Sequence, residues 1–145
     1  MKSYMRRVTV ESPFRTTTLK LPGNRELVIE EAENVTYARA CMNDCLMRGE
    51  APFASHLLYT QRGILDDTIP RERDLGIRAG LEYKRGTDAT VVYTDRGVTE
   101  GVLWGIRFAH EIDHPVEYRA LGGSWALVEI ASLSVDELIA ELKRG

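Results

Sequence analysis

Polar and charged side chains follow the ends of several apolar segments of the sequence. Residues 12–15 follow the first of these segments, His56 and Tyr59 belong to the second, residues 95–101 follow the third and Arg119 follows the fourth. In a parallel sheet the carboxyl ends of the strands meet at one edge, so these groups are expected to lie close together. Hydroxyl, imidazole, carboxylate and guanidinium groups beside aromatic rings suit a small anionic or nucleotide-like ligand.

This pattern predicts a set of ligand-binding residues. They are Ser12, Pro13, Phe14, Arg15, His56, Tyr59, Asp95, Gly97, Thr99, Glu100, Gly101 and Arg119. Phe14, Tyr59 or Trp104 could stack on a base, although Trp104 is predicted to pack in the core. The turn at residues 95–101 leads into a predicted helix N-terminus at Thr99, whose unpaired N–H groups attract anions.

Each of these groups also has a purely structural interpretation. His56, within an apolar strand, is predicted more readily as a hydrogen-bonded structural residue than as a catalyst. Asp95 could make only an Asx-turn, and Glu100 could serve only the helix dipole. Arg15 and Arg119 could be solvated surface residues or, beyond strand ends, phosphate ligands.

Several familiar catalytic and cofactor motifs are absent from the sequence. It has no Gly-x-Ser-x-Gly, no Gly-x-Gly-x-x-Gly and no phosphate-loop lysine motif, which argues against a classical dinucleotide enzyme. Cys41 and Cys45 lie one helical turn apart without a second pair of ligands, so buried reduced thiols are predicted. No metal and no cofactor is predicted. Asp66 and Asp67 could hold a ribose hydroxyl if their loop covers the site.

The elements that must position these groups follow from hydrophobic periodicity. Residues 89–93 form an apolar, β-branched run, residues 94–97 form a glycine-containing turn, and apolar residues after Thr99 recur at helical spacing. A short strand at residues 115–118 follows. This order predicts a βαβ unit with parallel strands and a right-handed crossover.

The rest of the chain continues the alternation of strands and helices. Strands are predicted at residues 6–11, 52–59 and 125–131, and a hairpin is predicted at residues 16–30. Helices are predicted at residues 34–48, with Asn34 as N-cap, and from Pro70. A C-terminal helix is predicted at residues 134–143, with Ser134 and Glu137 as a capping box. The predicted fold class is α/β. It is a Rossmann-like parallel sheet of about five strands flanked by helices, with a β-hairpin inserted near the N-terminus.

The composition is typical of a globular protein with one domain, residues 1–145. The sequence has 43% hydrophobic and 28% charged residues and a formal net charge of -3. The small acidic excess argues against general nucleic-acid binding, which requires a basic face. No apolar segment approaches the roughly 20 residues of a membrane span, and the N-terminal residues lack the apolar core of a signal peptide. A cytoplasmic protein without membrane partners is predicted.

Several segments of the sequence resemble a known group of proteins. They are SPFR (residues 12–15), NVTYARACMNDCLMRGEAPFASHLLYT (34–60), ILDDTIPRERDLGIRAGL (64–81) and VVYTDRGVTEGVLWGIRFA (91–109). In this order they are similar to a small, often phage-encoded group of the nucleoside 2-deoxyribosyltransferase-like and SLOG-like Rossmannoid superfamily. The resemblance covers roughly residues 7–121 without the hairpin.

The resemblance implies a ligand built from a nucleoside, a nucleotide or an NAD-derived molecule. It places residues 12–15 on one wall of the site and residues 95–101 on the phosphate or ribose side. In the transferase branch a nucleophilic Glu lies four residues before a small helical residue. Counted back from Ala109, that position holds Gly105. Glu100 is the remaining catalytic candidate, at a different geometry.

Three functions are compatible with these observations. Gly105 favours a binding protein without turnover, which in a phage would be an anti-defence sponge that sequesters a host immune signal, such as a cyclic ADP-ribose isomer, in the host cytoplasm. The alternative is a deoxyribosyltransferase or N-glycoside hydrolase that uses Glu100 or Asp95. The second alternative is a protein-interaction module built on the hairpin and the C-terminal helix. A homo-oligomer is also expected, because the helices from Asn34 and Thr99 carry apolar faces.

Overall fold

The structure, a computed structural model, describes residues 4–21, 23–127, 130 and 133–144. Its strands are β1 (Arg6–Glu11), β2 (Thr17–Leu21), β3 (Arg25–Ile29), β4 (Glu50–Phe53), β5 (Ala89–Tyr93) and β6 (Val116–Arg119). Its helices are α1 (Glu31–Met47), α2 (Ser55–Leu58), α3 (Pro70–Lys84), α4 (Glu100–Glu111) and α5 (Val135–Arg144). The predicted α/β class is confirmed.

A parallel sheet of four strands, in the order β4-β1-β5-β6, forms the centre of the fold. β1 pairs with β4 through residues 6–9 and with β5 through residues 8–11. β5 pairs in parallel with β6, which confirms the predicted βαβ unit. The chain leaves β1 for β4 on one side and later returns to β5 on the other side. The carboxyl ends of β1 and β5 therefore flank a topological switch point, where open α/β sheets bind ligands.

The two faces of β1 differ in polarity. On one face, Val8 and Val10 of β1 pack in a buried apolar cluster with Tyr37 of α1. Because side chains alternate along a strand, Thr9 and Glu11 point to the opposite face, toward α3 and α4. Strands of a parallel sheet are usually apolar on both faces. The polar residues on the second face of β1 therefore mark a place where packing alone does not explain the sequence.

The predicted hairpin is present and forms a separate two-stranded sheet. β2 and β3 pair in antiparallel fashion, from Thr17 with Ile29 to Leu21 with Arg25. Leu19 of the hairpin packs against the apolar cluster formed by α4 and its neighbours. The hairpin therefore lies against the start of the βαβ crossover rather than apart from the main sheet.

Two predicted boundaries near the first helix and the second strand are wrong. α1 begins one turn before Asn34, and the buried Asn34 side chain donates from Nδ2 to the carbonyl oxygen of Arg15 at 2.8 Å. β4 ends at Phe53, and the apolar residues that follow it form the short helix α2. A short apolar run does not reveal by its pattern whether it is strand or helix. His56 consequently lies in a helical turn rather than in a strand.

The predicted strand at residues 125–131 is also wrong for the residues described. Residues 123–125 form a 3-10 turn, and Ile130 is helical. The preceding Gly122 has a φ of 73°, a backbone conformation that redirects the chain and that other residues rarely adopt. The described residues thus form a parallel sheet of four strands instead of about five. Residues 128, 129, 131 and 132 lie outside the described residues.

The C-terminal helix α5 begins with the predicted capping box. The backbone N–H of Glu137 donates to Ser134 Oγ at 3.2 Å, and Ser134 Oγ donates to Glu137 Oε1 at 3.0 Å. Each side chain thus satisfies a polar group at the start of the helix. None of the described helices is both long enough and apolar enough to cross a membrane.

Candidate functional site

A cavity of about 270 Å³ opens beside the carboxyl end of β1, between α3 and the first half of α4. The loop after β1 and the short helix α2 form its other walls. A more open depression of about 970 Å³ adjoins it and shares Phe14, Arg15 and Asp67 with it. The cavity therefore lies at the switch point of the sheet, the place where the sequence predicts a ligand site.

Many of the predicted ligand-binding residues line this cavity. Those that do are Ser12, Phe14, Arg15, His56, Tyr59, Thr99, Glu100 and Gly101. Those that do not are Pro13, Asp95, Gly97 and Arg119. Pro13 is buried, and Gly97 has a φ of 85° in a turn where a Cβ would approach Leu19. Of the predicted site at residues 95–101, only residues 99–101 line the cavity, whereas Asp95 and Gly97 belong to the turn before them.

Asp95 is a buried structural residue that joins three segments of the chain. Its Oδ1 accepts hydrogen bonds from Tyr37 Oη at 2.7 Å and from the N–H of Leu121 at 2.8 Å, and its Oδ2 accepts one from the N–H of Gly122 at 3.0 Å. Both oxygens are occupied by the protein. Asp95 therefore has no free carboxylate oxygen for the predicted role as a nucleophile or base.

Arg119 forms a buried ion pair on the opposite face of the sheet. Its Nη1 donates to Glu50 Oε1 at 2.7 Å, and its Nη2 donates to Glu50 Oε2 at 2.8 Å. The guanidinium group holds the pKa of the Glu50 carboxyl below its usual value. Since the Arg119 side chain is only 6% exposed, it connects the end of β6 with β4 rather than lying at the cavity.

Ser12 and His56 form a hydrogen-bonded pair on the cavity wall. Ser12 Oγ and His56 Nε2 are 2.9 Å apart, and the Phe14 ring meets the imidazole edge to face at 6.1 Å between centroids. Burial lowers the pKa of His56 from 6.5 to about 4. The imidazole is therefore neutral near pH 7 and offers the cavity a hydrogen-bonding group rather than a positive charge.

A buried ion pair between Glu11 and Lys84 forms the floor of the cavity. Lys84 Nζ donates to Glu11 Oε2 at 2.7 Å and to the carbonyl oxygen of Gly105 at 2.9 Å. The Lys84 side chain is 1% exposed and that of Glu11 is 17% exposed. Burial raises the pKa of the Glu11 carboxyl, against the opposing effect of the Lys84 ammonium. The pair places a carboxylate at the base of the cavity, close to the switch point.

Asp67 and two arginines form the mouth of the cavity. Arg15 Nε donates to Asp67 Oδ2 at 2.7 Å, and Arg15 Nη2 donates to the Asp67 carbonyl oxygen. Arg73 Nε lies 4.0 Å from Asp67 Oδ1. Leu65 and Asp67 of the loop before α3 line the cavity, so this loop lies at the site, where it is expected from the sequence to bind a ribose hydroxyl. Asp66, the neighbour of Asp67, instead accepts hydrogen bonds from Thr68.

Trp104 lines the cavity and is 43% exposed, so the prediction that it packs in the core is wrong. The buried face of α4 consists of Val102, Leu103 and Ile106 among others, and Trp104 falls between those positions. Together with Tyr59 it gives the cavity aromatic walls.

The start of α4 forms another wall. Thr99 Oγ1 accepts a hydrogen bond from the N–H of Val102 at 3.3 Å, which confirms the predicted N-cap. Glu100 lies in the first turn of the helix, where it is exposed and lines the cavity. Glu100, the predicted catalytic candidate, therefore lies on a wall of the cavity, whereas Glu11 lies at its floor.

Glu11 and Lys84 are the functional candidates that sequence reasoning misses. Lys84 lies in the last turn of α3, where a cation is expected for the helix dipole. Gly80 and Gly105 are the signals that could have identified the site, because a glycine inside a helix usually reflects a close approach. Ser55 lies against Gly80, and Glu11 lies against Gly105.

Metal ligands are not clustered in the part of the chain that the structure describes. Within it, no group of three or more His, Cys, Asp or Glu side chains is arranged to hold a metal ion. Cys41 and Cys45 are both free and buried, as predicted.

Known proteins provide two similarities. A family described as "Domain of unknown function (DUF7768)" matches residues 6–119. No curated protein sequence matches the chain. A solved structure of a 2-deoxyribosyltransferase from the psychrotolerant bacterium Bacillus psychrosaccharolyticus, a biocatalyst for the synthesis of nucleosides, is similar to the chain, with 16% sequence identity and a TM-score of 0.50. The similarity covers 81% of this chain and 74% of that one. The chain therefore has a fold like that of a deoxyribosyltransferase, as the sequence resemblance predicts.

Proposed function

The chain belongs to the DUF7768 family of domains of unknown function. For this chain we propose that it binds a nucleoside or nucleotide and breaks the bond between base and sugar. The observation that carries this proposal is a cavity with aromatic walls and a carboxylate, Glu11, at its floor. The deoxyribosyltransferase-like fold supports the same substrate class.

The cavity walls match the two halves of a nucleoside. A flat base can stack on Phe14, Tyr59 or Trp104, which all line the cavity. Sugar hydroxyls can exchange hydrogen bonds with the Ser12 and His56 pair and with Asp67 at the mouth. Ligand cavities usually measure about 300–1,000 Å³. A volume of about 270 Å³ therefore fits one nucleoside better than a dinucleotide.

The polar groups also match the chemistry of a glycosidic bond. Carboxylates act on sugar carbons either as nucleophiles or as bases that activate water. The neutral His56 imidazole can donate a hydrogen bond to the base or to the sugar without adding charge. The proposal therefore covers both a transferase, in which a second base accepts the sugar, and a hydrolase, in which water accepts it.

The test combines ligand binding with product analysis. Tm of the purified chain is measured with ribonucleosides, deoxyribonucleosides, their 5′-monophosphates, NAD or ADP-ribose. Parallel mixtures, with and without the chain, are incubated well below Tm and analysed by chromatography. We expect a nucleoside or nucleotide to raise Tm by mass action and free base to accumulate with time. Phe14→Ala should weaken binding roughly tenfold, because it removes a stacking surface. Phe108→Ala, outside the cavity, is the matched control.

The other outcomes favour the other hypotheses. A ligand that raises Tm but is recovered chemically unchanged would favour sequestration. The sponge function, the phage origin and the homo-oligomer stay predictions from the sequence. If no compound on the panel shifts Tm or yields base, the proposal is contradicted and a protein-interaction module becomes the better hypothesis.

A further inference from the structure

The carboxylate of Glu11 fills a gap in the neighbouring helix. Gly105 lies in the middle of α4, and a Cβ placed on it would overlap Oε2 and Cδ of Glu11, with Oε1 at 2.9 Å. A carboxylate that comes from the end of β1 therefore occupies the space in which a side chain of α4 would begin. The Glu11 carboxylate can lie at this position only because residue 105 has no side chain.

One oxygen of this carboxylate is held by the protein and the other is not. Lys84 Nζ donates to Glu11 Oε2 at 2.7 Å and also to the carbonyl oxygen of Gly105 at 2.9 Å. Among the residues that the structure describes, none donates a hydrogen bond to Oε1. A buried ion pair that serves stability alone needs its remaining lone pairs satisfied. Here the carboxylate is fixed while one oxygen remains available to a ligand in the cavity.

From this geometry we infer that Glu11 is the nucleophile of the reaction and that Lys84 is the residue that positions it. This inference rests on the proposed function, since it requires a glycosidic bond in the cavity. The other carboxylates near the site fit the role less well. Asp95 accepts protein hydrogen bonds on both oxygens, and Asp67 is held by arginines at the mouth. Glu72, which also lines the cavity, accepts a hydrogen bond from the N–H of Asp66, and Glu100 is exposed.

The step is a displacement at the anomeric carbon of the sugar. Glu11 Oε1 forms a bond to that carbon while the bond from carbon to base nitrogen breaks, and the electron pair leaves with the base, which takes a proton from water. Water or a second base then attacks the same carbon, and the carboxylate leaves as it was. With water as the acceptor, the net reaction consumes one nucleoside and one water and yields free sugar and free base.

The test locates the sugar on the chain. A nucleoside with fluorine at C2′ disfavours the charged transition states of both steps, so that a sugar adduct can accumulate and survive digestion with trypsin. Cleavage after arginine yields the peptides of residues 8–15 and 97–107, in which Glu11 and Glu100 respectively are the only carboxylate side chains. We expect the mass of the fluorinated sugar on the first peptide. Release of free base from ordinary nucleosides is measured in parallel.

Variants test the same assignment by rate. Glu11→Gln is expected to reduce base release at least about 100-fold, whereas Glu82→Gln, at an exposed position of α3 outside the cavity, leaves it unchanged. Since Glu11→Gln leaves the buried Lys84 unpaired and could prevent folding, the double variant Glu11→Gln/Lys84→Met removes both charges. Its fold is checked by circular dichroism, and it is expected to form no adduct.

The outcomes separate this inference from the function on which it rests. An adduct on the peptide of residues 97–107, or undiminished base release by a folded Glu11 variant, overturns the assignment of Glu11 and leaves the proposed function standing. If the wild-type chain releases no base from any nucleoside, the proposed function and the inference are both overturned.

Discussion

At the scale of single residues, Gly105 keeps open the space that the Glu11 carboxylate fills. We expect Gly105→Ala to lower the free energy of unfolding by roughly 1–3 kcal/mol, because the new methyl group displaces the carboxylate from Lys84. Gly101→Ala is the control on the same helix, since nothing lies within 4 Å of its added Cβ. It should raise stability by up to about 1 kcal/mol. Urea unfolding measures both, and equal stabilities would show that the space at position 105 is not required.

The lowered pKa of His56 predicts that the free energy of unfolding depends on pH. Its native pKa of about 4 lies below the ordinary 6.5, so between these values the unfolded chain binds more protons than the native chain. The contribution of the neutral imidazole is complete above pH 6.5. It is lost as the pH falls toward 4, by up to about 1.4 kcal/mol per pH unit.

The measurement compares wild type with His56→Gln by urea unfolding at several pH values between 7 and 4. Titrations of other groups are common to both chains, so the difference between them isolates the imidazole. The difference in unfolding free energy should be constant above pH 6.5 and change below it. A constant difference over the whole range would mean that His56 titrates normally in the native chain.

At the scale of elements, the pair of Arg119 and Glu50 joins β6 to β4 across the sheet. Arg119→Met leaves the buried Glu50 carboxylate with only the half-exposed Arg6, at 3.3 Å, as a partner, so we expect a loss of about 2 kcal/mol in the free energy of unfolding. Arg48→Met removes an exposed pair with Asp44 and should cost less than about 1 kcal/mol. Guanidinium unfolding compares the two. In the folded Arg119 variant, any rise in Tm caused by a nucleoside should persist; its loss would restore the predicted ligand role of Arg119.

The elements also show which predictions the sequence supports. α4 is predicted correctly because Thr99 caps it and its apolar residues keep one helical face. The run from Pro52 to Tyr59 has no such period, so its division into β4 and α2 depends on tertiary packing. The cavity floor could not be predicted at all: Glu11 and Lys84 are 73 residues apart in sequence, and each alone resembles an ordinary charged residue at the end of an element.

At the scale of the whole molecule, the two thiols of α1 report on global unfolding. Cys41 and Cys45 are fully buried, and burial raises the pKa of both, so neither is a reactive thiolate in the native chain. With a chromogenic disulfide reagent, we expect them to react at least about 1,000-fold more slowly than the thiol of Thr36→Cys, an exposed position on the same helix. Comparable rates would mean that α1 opens locally, without global unfolding.

The strand order β4-β1-β5-β6 also determines when each strand can pair during synthesis on the ribosome. β1 is made before its two neighbours, and β5, which completes its pairing, ends only at Tyr93. During that interval β1 can pair with β4, and α1 can cover Val8 and Val10. The edge of β1 that pairs with β5, residues 8–11, stays unpaired. Unpaired apolar strands are the segments most exposed to wrong association. Nascent chains that stall before β5 are therefore the ones expected to depend on chaperones.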